Sequence, residues 1–286
     1  MGVAVQSHWF SVGPIVPWAE SGVGAVATQA NIEVAYGHRA LALMRDGLDA
    51  SAALARLVAA DSLAETRQVA VIDAAGTVAA HTGDHCMPSA GHVTADGVSC
   101  QANIMATPHV WPAMLAAYEV APGPLTCRLM AALHAAEAAG GDLRGRQSAA
   151  VLVVPASGEP WDTIVSLRVE DHSDPLAELE RLLVLDEAYK LAGLGDELSA
   201  AGDFHQGAVL YQQAAALAPE SDELRFWAGL GAVQRGDLDG GLALVRSAIA
   251  AHPGWYELLQ RLTPDLSPVA STVLERLPAA ATEADP

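Results

Sequence analysis

The sequence predicts a layered α+β domain followed by an all-α region, and three observations carry that prediction. Up to Glu170 the apolar runs with strand character come in groups, and the helical periodicities between them come in pairs. After Asp174 strand patterns stop, and the chain becomes rich in alanine and leucine. Groups of strands alternating with groups of helices point to helices laid on sheets, not to a strict βαβ alternation.

The first element is GVAVQS, Gly2–Ser7, an apolar run that reads as a buried strand. The next segment, HWFSVGPIVPW, contains Pro14 and Pro17, which forbid a continuous helix. GVGAVATQA, from Gly22 to Ala30, is a second strand bounded by glycine. From Tyr36 to Arg45 the period turns helical, with Leu41, Met44 and Leu48 on one face. Ala50–Ala60 repeats that period through Leu54, Leu57 and Val58. RQVAVIDAAGTVAAHTG reads as a hairpin, with Val69, Val71 and Ile72 in one arm, Val78 in the other and DAAG at the turn. GVSCQANIM is another strand, ending in polar residues. Helices follow over Pro112–Tyr118 and Pro124–Ala139, the second closed by Gly140 and Gly141, where a helix C-terminus favours glycine. SAAVLVV and DTIVSLRVE supply two more strands.

Asp174 is suited to cap a helix with Pro175 at its first position. Beyond it the chain repeats itself. AGDF at Ala201–Phe204 returns as RGDL at Arg235–Leu238, and Asp203 and Asp237, Pro219 and Pro253, and Gly195 and Gly229 each stand 34 residues apart. This period resembles the tetratricopeptide repeat. Gly195, Tyr211, Ala214 and Pro219 fit its pattern, whereas Arg225 and Val245 match it poorly. Two helix pairs are too few for a long solenoid, so they are expected to pack against the first domain or a partner. The expected domains are 1–183 and 184–265, with a flexible tail over 266–286.

Composition narrows the function classes. Hydrophobic residues make up 51% and charged residues 17% of the 286 positions, enough apolar surface to offset ordering entropy through a real core. The formal charge of −19 repels phosphate backbones and anionic lipid heads, which argues against nucleic acid and membrane surfaces as partners. No stretch approaches the roughly 20 apolar residues of a membrane span. The first residues lack the basic start and cleavage site of a signal peptide. Cys86, Cys100 and Cys127 are odd in number and widely spaced, which fits a reducing compartment. The expected location is therefore the cytoplasm.

GVAVQSHWFSVG, GVGAVATQA, YGHRALALMRDG, RQVAVID, HTGDHC, GGDLRGRQSAAVLVV and LRVEDHSDP occur in this order. Over about residues 2 to 183 the chain resembles the bacterial domain-of-unknown-function family 1028, placed in the N-terminal nucleophile hydrolase superfamily. The resemblance implies a four-layer αββα sandwich. It also implies that a Thr, Ser or Cys at the start of the mature chain attacks an amide carbonyl, with its own α-amino group as base. An α-amino group has a reference pKa of about 7.7–8.0, so a partly neutral base exists near pH 7 without a histidine. Family members usually begin with a strand of the form Met-Thr-Phe-Ser-Ile-Val-Ala, and this chain starts at the equivalent of the second strand. Either a segment bearing the nucleophile precedes Met1, or that strand is gone; without it the edge beside Val3 and Val5 is unpaired.

The candidate site residues follow from polar groups at strand ends. Asp142, Arg146, Gln147 and Ser148 crowd the mouth of the SAAVLVV strand, where they either pin a turn or orient a substrate. Arg146 has the planar fork that holds a carboxylate. Ser7 beside His8, Gln29 beside Thr28, and Asn103 near Gln101 end three other strands, and together could donate hydrogen bonds to an oxyanion. Asp171 and His172 could form an acid–base pair. Ser148 as an internal nucleophile is discounted because no GxSxG elbow surrounds it. His81, His85, Cys86 and His92 match no common zinc spacing, so neither a metal nor a cofactor is expected. Two functions stand side by side. One is an amide-bond hydrolase acting on a small polar substrate. The other is a non-catalytic scaffold whose repeats bind a peptide or protein. A homo-oligomer is expected in either case.

Overall fold

A computed structural model describes residues 1–277. The chain is mixed α and β and divides into two compact units, Met1–Arg181 and Leu182–Pro286.

The first unit contains nine strands, all paired antiparallel. β1 (Gly2–Ser7), β8 (Ser148–Val153) and β9 (Val165–Val169) form one sheet in the order β1-β8-β9. β2 (Pro17–Glu20), β3 (Gly24–Ala30), β4 (Arg67–Asp73) and β5 (Val78–Thr82) form a second sheet in sequence order. β6 (Gly91–Ala95) and β7 (Val98–Ala102) form a two-stranded ribbon. The sequence reading lacked β2 and β6. Pro17 obscured the first, although proline is tolerated as the opening residue of an edge strand. The second is joined to β7 by Asp96-Gly97, with Gly97 at φ +66, a two-residue hairpin turn that was legible in the sequence.

Alternation explains how the four-stranded sheet is covered. Val26, Val69 and Val71 face α1 (Ala35–Arg45) and α2 (Ala50–Ala60), packing on Tyr36, Leu41, Met44 and Leu54. Ala27, on the other face of β3, joins Val5, Val12, Val16 and Ala150 in a core between this sheet and β1-β8-β9. α3 (Val110–Val120) and α4 (Leu125–Ala138) pack on each other, α3 against β6 and β7, and α4 against β1 and β8. Asp73, in the β4–β5 turn, accepts from the N–H groups of Ala75 and Thr77 and from Ala50 at the start of α2. One carboxylate thereby fastens a hairpin to a helix terminus.

The division between the units falls within α5 (Pro175–Ala200). The second unit continues with α6 (Phe204–Leu217), α7 (Asp222–Gln234), α8 (Leu238–Ala251), α9 (Gly254–Arg261) and α10 (Ala270–Arg276). Asp203 caps α6 through the Gln206 N–H at 3.1 Å, and Asp237 caps α8 through the Gly240 N–H at 3.0 Å. The same close approach also recurs at the 34-residue offset. A Cβ on Gly195 would lie 2.9 Å from the Tyr211 ring, and one on Gly229 would lie 2.8 Å from Val245. Val245, a poor match by sequence, therefore occupies the contact made by Tyr211 in the preceding pair. The expected flexible tail over 266–286 is corrected in part. Residues 270–276 are helical, and Ala270, Val273 and Leu277 are buried in the cluster around Phe226, because a single apolar stripe suffices to dock a two-turn helix. Residues 278–286 of that tail lie outside the described residues.

Candidate functional site

Among the described residues β1 pairs only with β8 and β7 only with β6, so each keeps a free edge. Between those edges lies an elongated void. One end is a cavity of about 300 Å³ lined by Ala4, Val5, Gln6 and Ser7 of β1 and by Ser99, Gln101, Ala102 and Asn103 in and after β7. The other end is a cavity of about 340 Å³ lined by Met1–Ala4 and by Gly97–Gln101. Ala4, Ser99, Gln101, Met114 and Leu133 line both cavities, so the two are ends of one slot. Since Met1 goes with Gly97 and Ser7 with Asn103, the two free edges run in the same direction. Ala25, Ala27, Ala70 and Gln29 come from the four-stranded sheet on one side, and Met114 and Leu133 from α3 and α4 on the other.

The slot is graded in polarity. Its Met1 end is mostly apolar, with Val71, Cys100, Tyr118 and Leu129. Burial, and secondarily the charge of Glu119, pushes the Cys100 thiol up to about 12, which leaves it protonated and unreactive. The opposite end gathers Gln6, Ser7, Gln29, Gln101, Asn103, Glu137, Asp142 and Arg144, with Trp9 and Met87 also in its wall.

Local structure explains how Asp142 reaches that end. Helix α4 is closed by Gly140 and Gly141, whose N–H groups donate back to Glu137 and Ala136. Gly141 lies at φ +61, a conformation that a side chain disfavours, and its carbonyl accepts from Ala106 N–H. Asp142 then pairs with Met105 in a β-bridge. Its carboxylate accepts from the His8 N–H at 3.3 Å, the Arg144 N–H at 2.9 Å, and the Arg144 guanidinium at 3.0 and 2.8 Å. Burial is the largest influence on this carboxyl and opposes its charge. The hydrogen bonds from the Arg144 side chain and N–H, and from His8, together outweigh burial and hold the group below the usual carboxylate range.

A hydrogen-bond hub stands behind the amides. Gln68, with no exposed surface, donates through Nε2 towards Ala102 O at 2.9 Å, Thr82 Oγ1 at 3.0 Å and Gly91 O at 3.1 Å. Its Oε1 accepts from Gln29 Nε2 at 2.9 Å and from Asn103 Nδ2 at 3.2 Å. Gln6 Nε2 donates to Glu137 Oε1, and Glu137 Oε2 accepts from Arg146 Nε at 2.6 Å.

Among the residues singled out by sequence, Ser7, Gln29, Asn103 and Asp142 line the polar cavity. Arg146, Gln147, Ser148, Asp171 and His172 line neither cavity. Arg146 is occupied by Glu137, with Asp174 at 3.5 Å. Gln147 donates to Asp171 at 3.1 Å, and His172 N–H donates to Gln147 O. The His172 ring accepts from the Asp174 N–H at 3.0 Å. Ser148 is fully buried, donating to Trp9 O and accepting from the Val12 N–H at 3.2 Å. These five close the turn and the strand mouth. The expected oxyanion donors are also corrected in part, because Gln29 and Asn103 turn their N–H groups to Gln68 and leave carbonyl oxygens free. Sequence reasoning missed Gln6, Gln68 and Glu137, and it saw Arg144 within the polar cluster at the strand mouth without making it a site residue. For Gln68 a signal existed, a glutamine inside the apolar run RQVAVID.

Among the described residues no three His, Cys, Asp or Glu side chains are grouped to hold a metal ion, and no helix is long and apolar enough to cross a membrane.

Residues 1–179 match the model of a family of unknown function, DUF1028. The crystal structure of a protein from Silicibacter pomeroyi, described with the same family, is similar at a TM-score of 0.58 and 32% identity. That similarity covers 64% of this chain and 78% of that one. Among curated proteins none matches. The chain belongs to the DUF1028 family.

Proposed function

We propose that this DUF1028 member is an amide-bond hydrolase of the N-terminal nucleophile type, with its first unit a four-layer αββα sandwich. One observation carries the reading. The slot has free strand edges on both sides, and neighbouring strands lie about 4.8 Å apart across a sheet, so an extended strand is the natural filling. A strand that ran antiparallel into β1 would begin at the polar end and finish at the apolar end beside Met1. Its first residue would then lie among Ser7, Gln29, Asn103 and Asp142. In that position a hydroxyl or thiol attacks the amide carbonyl while its own α-amino group takes the proton. The amine leaves with that proton, and water then hydrolyses the ester or thioester. A cavity of about 300 Å³ with an amide-rich wall suits a small polar substrate.

The test is a chain extended before Met1 by a strand and turn, with either Thr or Ala as the processed first residue. A β-lactone probe should acylate the Thr form at its first residue, as read by intact mass and peptide mapping. Equal labelling of the two forms would remove the proposal.

A second reading rests on the contact that recurs between Gly195 and Tyr211 and between Gly229 and Val245. It makes α5–α8 tetratricopeptide-like pairs that bind a peptide or assemble copies of the chain. Deleting 186–286 should then change the mass measured by light scattering. An identical oligomer would argue against it.

A further inference from the structure

The hydrogen bonds around Gln68 settle which way its neighbours point. Gly91 O and Ala102 O are carbonyl oxygens that can only accept, so the nitrogen of the Gln68 amide must face them. Its oxygen therefore faces Gln29 and Asn103, and each of those can meet an acceptor only through N–H. Their own carbonyl oxygens are thereby turned from Gln68 and accept nothing from the protein. The same logic holds for Gln6. The Glu137 carboxylate only accepts, so Gln6 presents nitrogen to it, and Gln6 Oε1 is left buried without a partner.

Three amide oxygens without donors thus belong to residues lining one cavity. Of the three, Gln6 Oε1 is buried; a buried acceptor that meets no donor is costly, and a ligand that brings N–H groups removes that cost. The charged groups in the wall are already paired, Asp142 with Arg144 and Glu137 with Arg146, so the wall offers no unengaged cation to an anion. An ammonium group carries three N–H donors and no acceptor, the complement of this set.

We infer that the polar end of the slot is a seat for a primary amine, held by the side-chain oxygens of Gln6, Gln29 and Asn103, with Gln68 as the positioning residue that turns two of them. The amine belongs either to the substrate or to the first residue of a strand in the slot. In that biological meaning the inference rests on the hydrolase reading, but the seat itself can be tested without turnover.

The experiment titrates the ¹⁵N-labelled full chain with methylammonium chloride and, separately, with tetramethylammonium chloride, which has the same charge and no N–H. Methylammonium should shift the side-chain amide signals of Gln6, Gln29 and Asn103 saturably, and tetramethylammonium should not. Gln29→Leu with Asn103→Leu should weaken methylammonium binding by about tenfold. Gln68→Leu should weaken it as well and speed hydrogen exchange at the Gln29 and Asn103 side-chain amides. If Gln68→Leu fails to fold, the double variant decides alone. Equal responses to the two salts, or an unchanged affinity in the double variant, would overturn the proposal. In the Thr-extended chain, loss of the methylammonium response assigns the seat to the chain's own amine, and its retention assigns it to the substrate's. Methylammonium binding without β-lactone labelling keeps the seat and removes the hydrolase; labelling without binding does the reverse.

Discussion

In the first unit a glutamine with no exposed surface sits at the centre of five hydrogen bonds, beside a slot whose two ends measure about 300 and about 340 Å³. In the helical unit Phe226, Leu224 and Leu259 are fully buried, and the hollow beside Tyr211 and Trp227 measures about 40 Å³. Protein interiors close-pack unless something prevents it. In the helical unit nothing does: glycines let the helices approach until a Cβ on Gly241 would lie 2.5 Å from the Gly229 carbonyl. In the first unit the free edges of β1 and β7 keep backbone groups between the sheets, so the space cannot collapse onto apolar side chains alone. The difference shows that one unit closes its core by packing while the other keeps open space between strand edges.

The largest expected effect lies on the well-packed side. Phe226→Ala removes a ring stacked 4.9 Å from Trp255, and should cost about 3–5 kcal/mol in urea unfolding followed by tryptophan fluorescence. A loss below about 1 kcal/mol would mean that the helical core repacks freely, and the contrast would break. Next comes Gln68→Leu, which leaves Gly91 O and Ala102 O without their side-chain donor. It should cost about 2 kcal/mol by the same measurement. A neutral or stabilising result would show that the hub's polar groups are met by water from the slot.

The smallest effect concerns pH. The Asp142 carboxyl is held below its ordinary value in the folded state, so its contribution is fully present above the unfolded carboxylate pKa of about 3.9. That contribution is lost as pH falls through the lower, folded value. Asp142→Asn should therefore lower stability at neutral pH and flatten its decline below about pH 4. A variant with the same acid profile as the parent would show that the Arg144 pairing carries no net stability.

Much of the architecture was legible because it is periodic. The helices α1 and α2, the β4–β5 hairpin and the strands β1, β3, β8 and β9 follow from apolar spacing. The 34-residue repeat showed itself through aspartate, proline and glycine at fixed offsets. β2 was hidden because Pro17 is a breaker in most contexts and only an edge position accommodates it. The site was less legible. Ser7, Gln29, Asn103 and Asp142 stood out as polar groups at strand ends, yet so did Arg146, Gln147, Ser148, Asp171 and His172, which close a turn instead. No local pattern separates the two sets, since both are polar residues beside apolar runs.

By itself the sequence determined most of the strands and helices, though not β2, β6 or α10, together with the acidic balance and the repeat, because each depends on residues near one another along the chain. Only the tertiary structure decided that β1 and β7 face each other with free edges, and that Gln68 turns the amides of Gln29 and Asn103. Those facts depend on strand pairing and hydrogen-bond direction between residues 35 to 39 positions apart or further. Such partners are chosen by packing, not by local propensity.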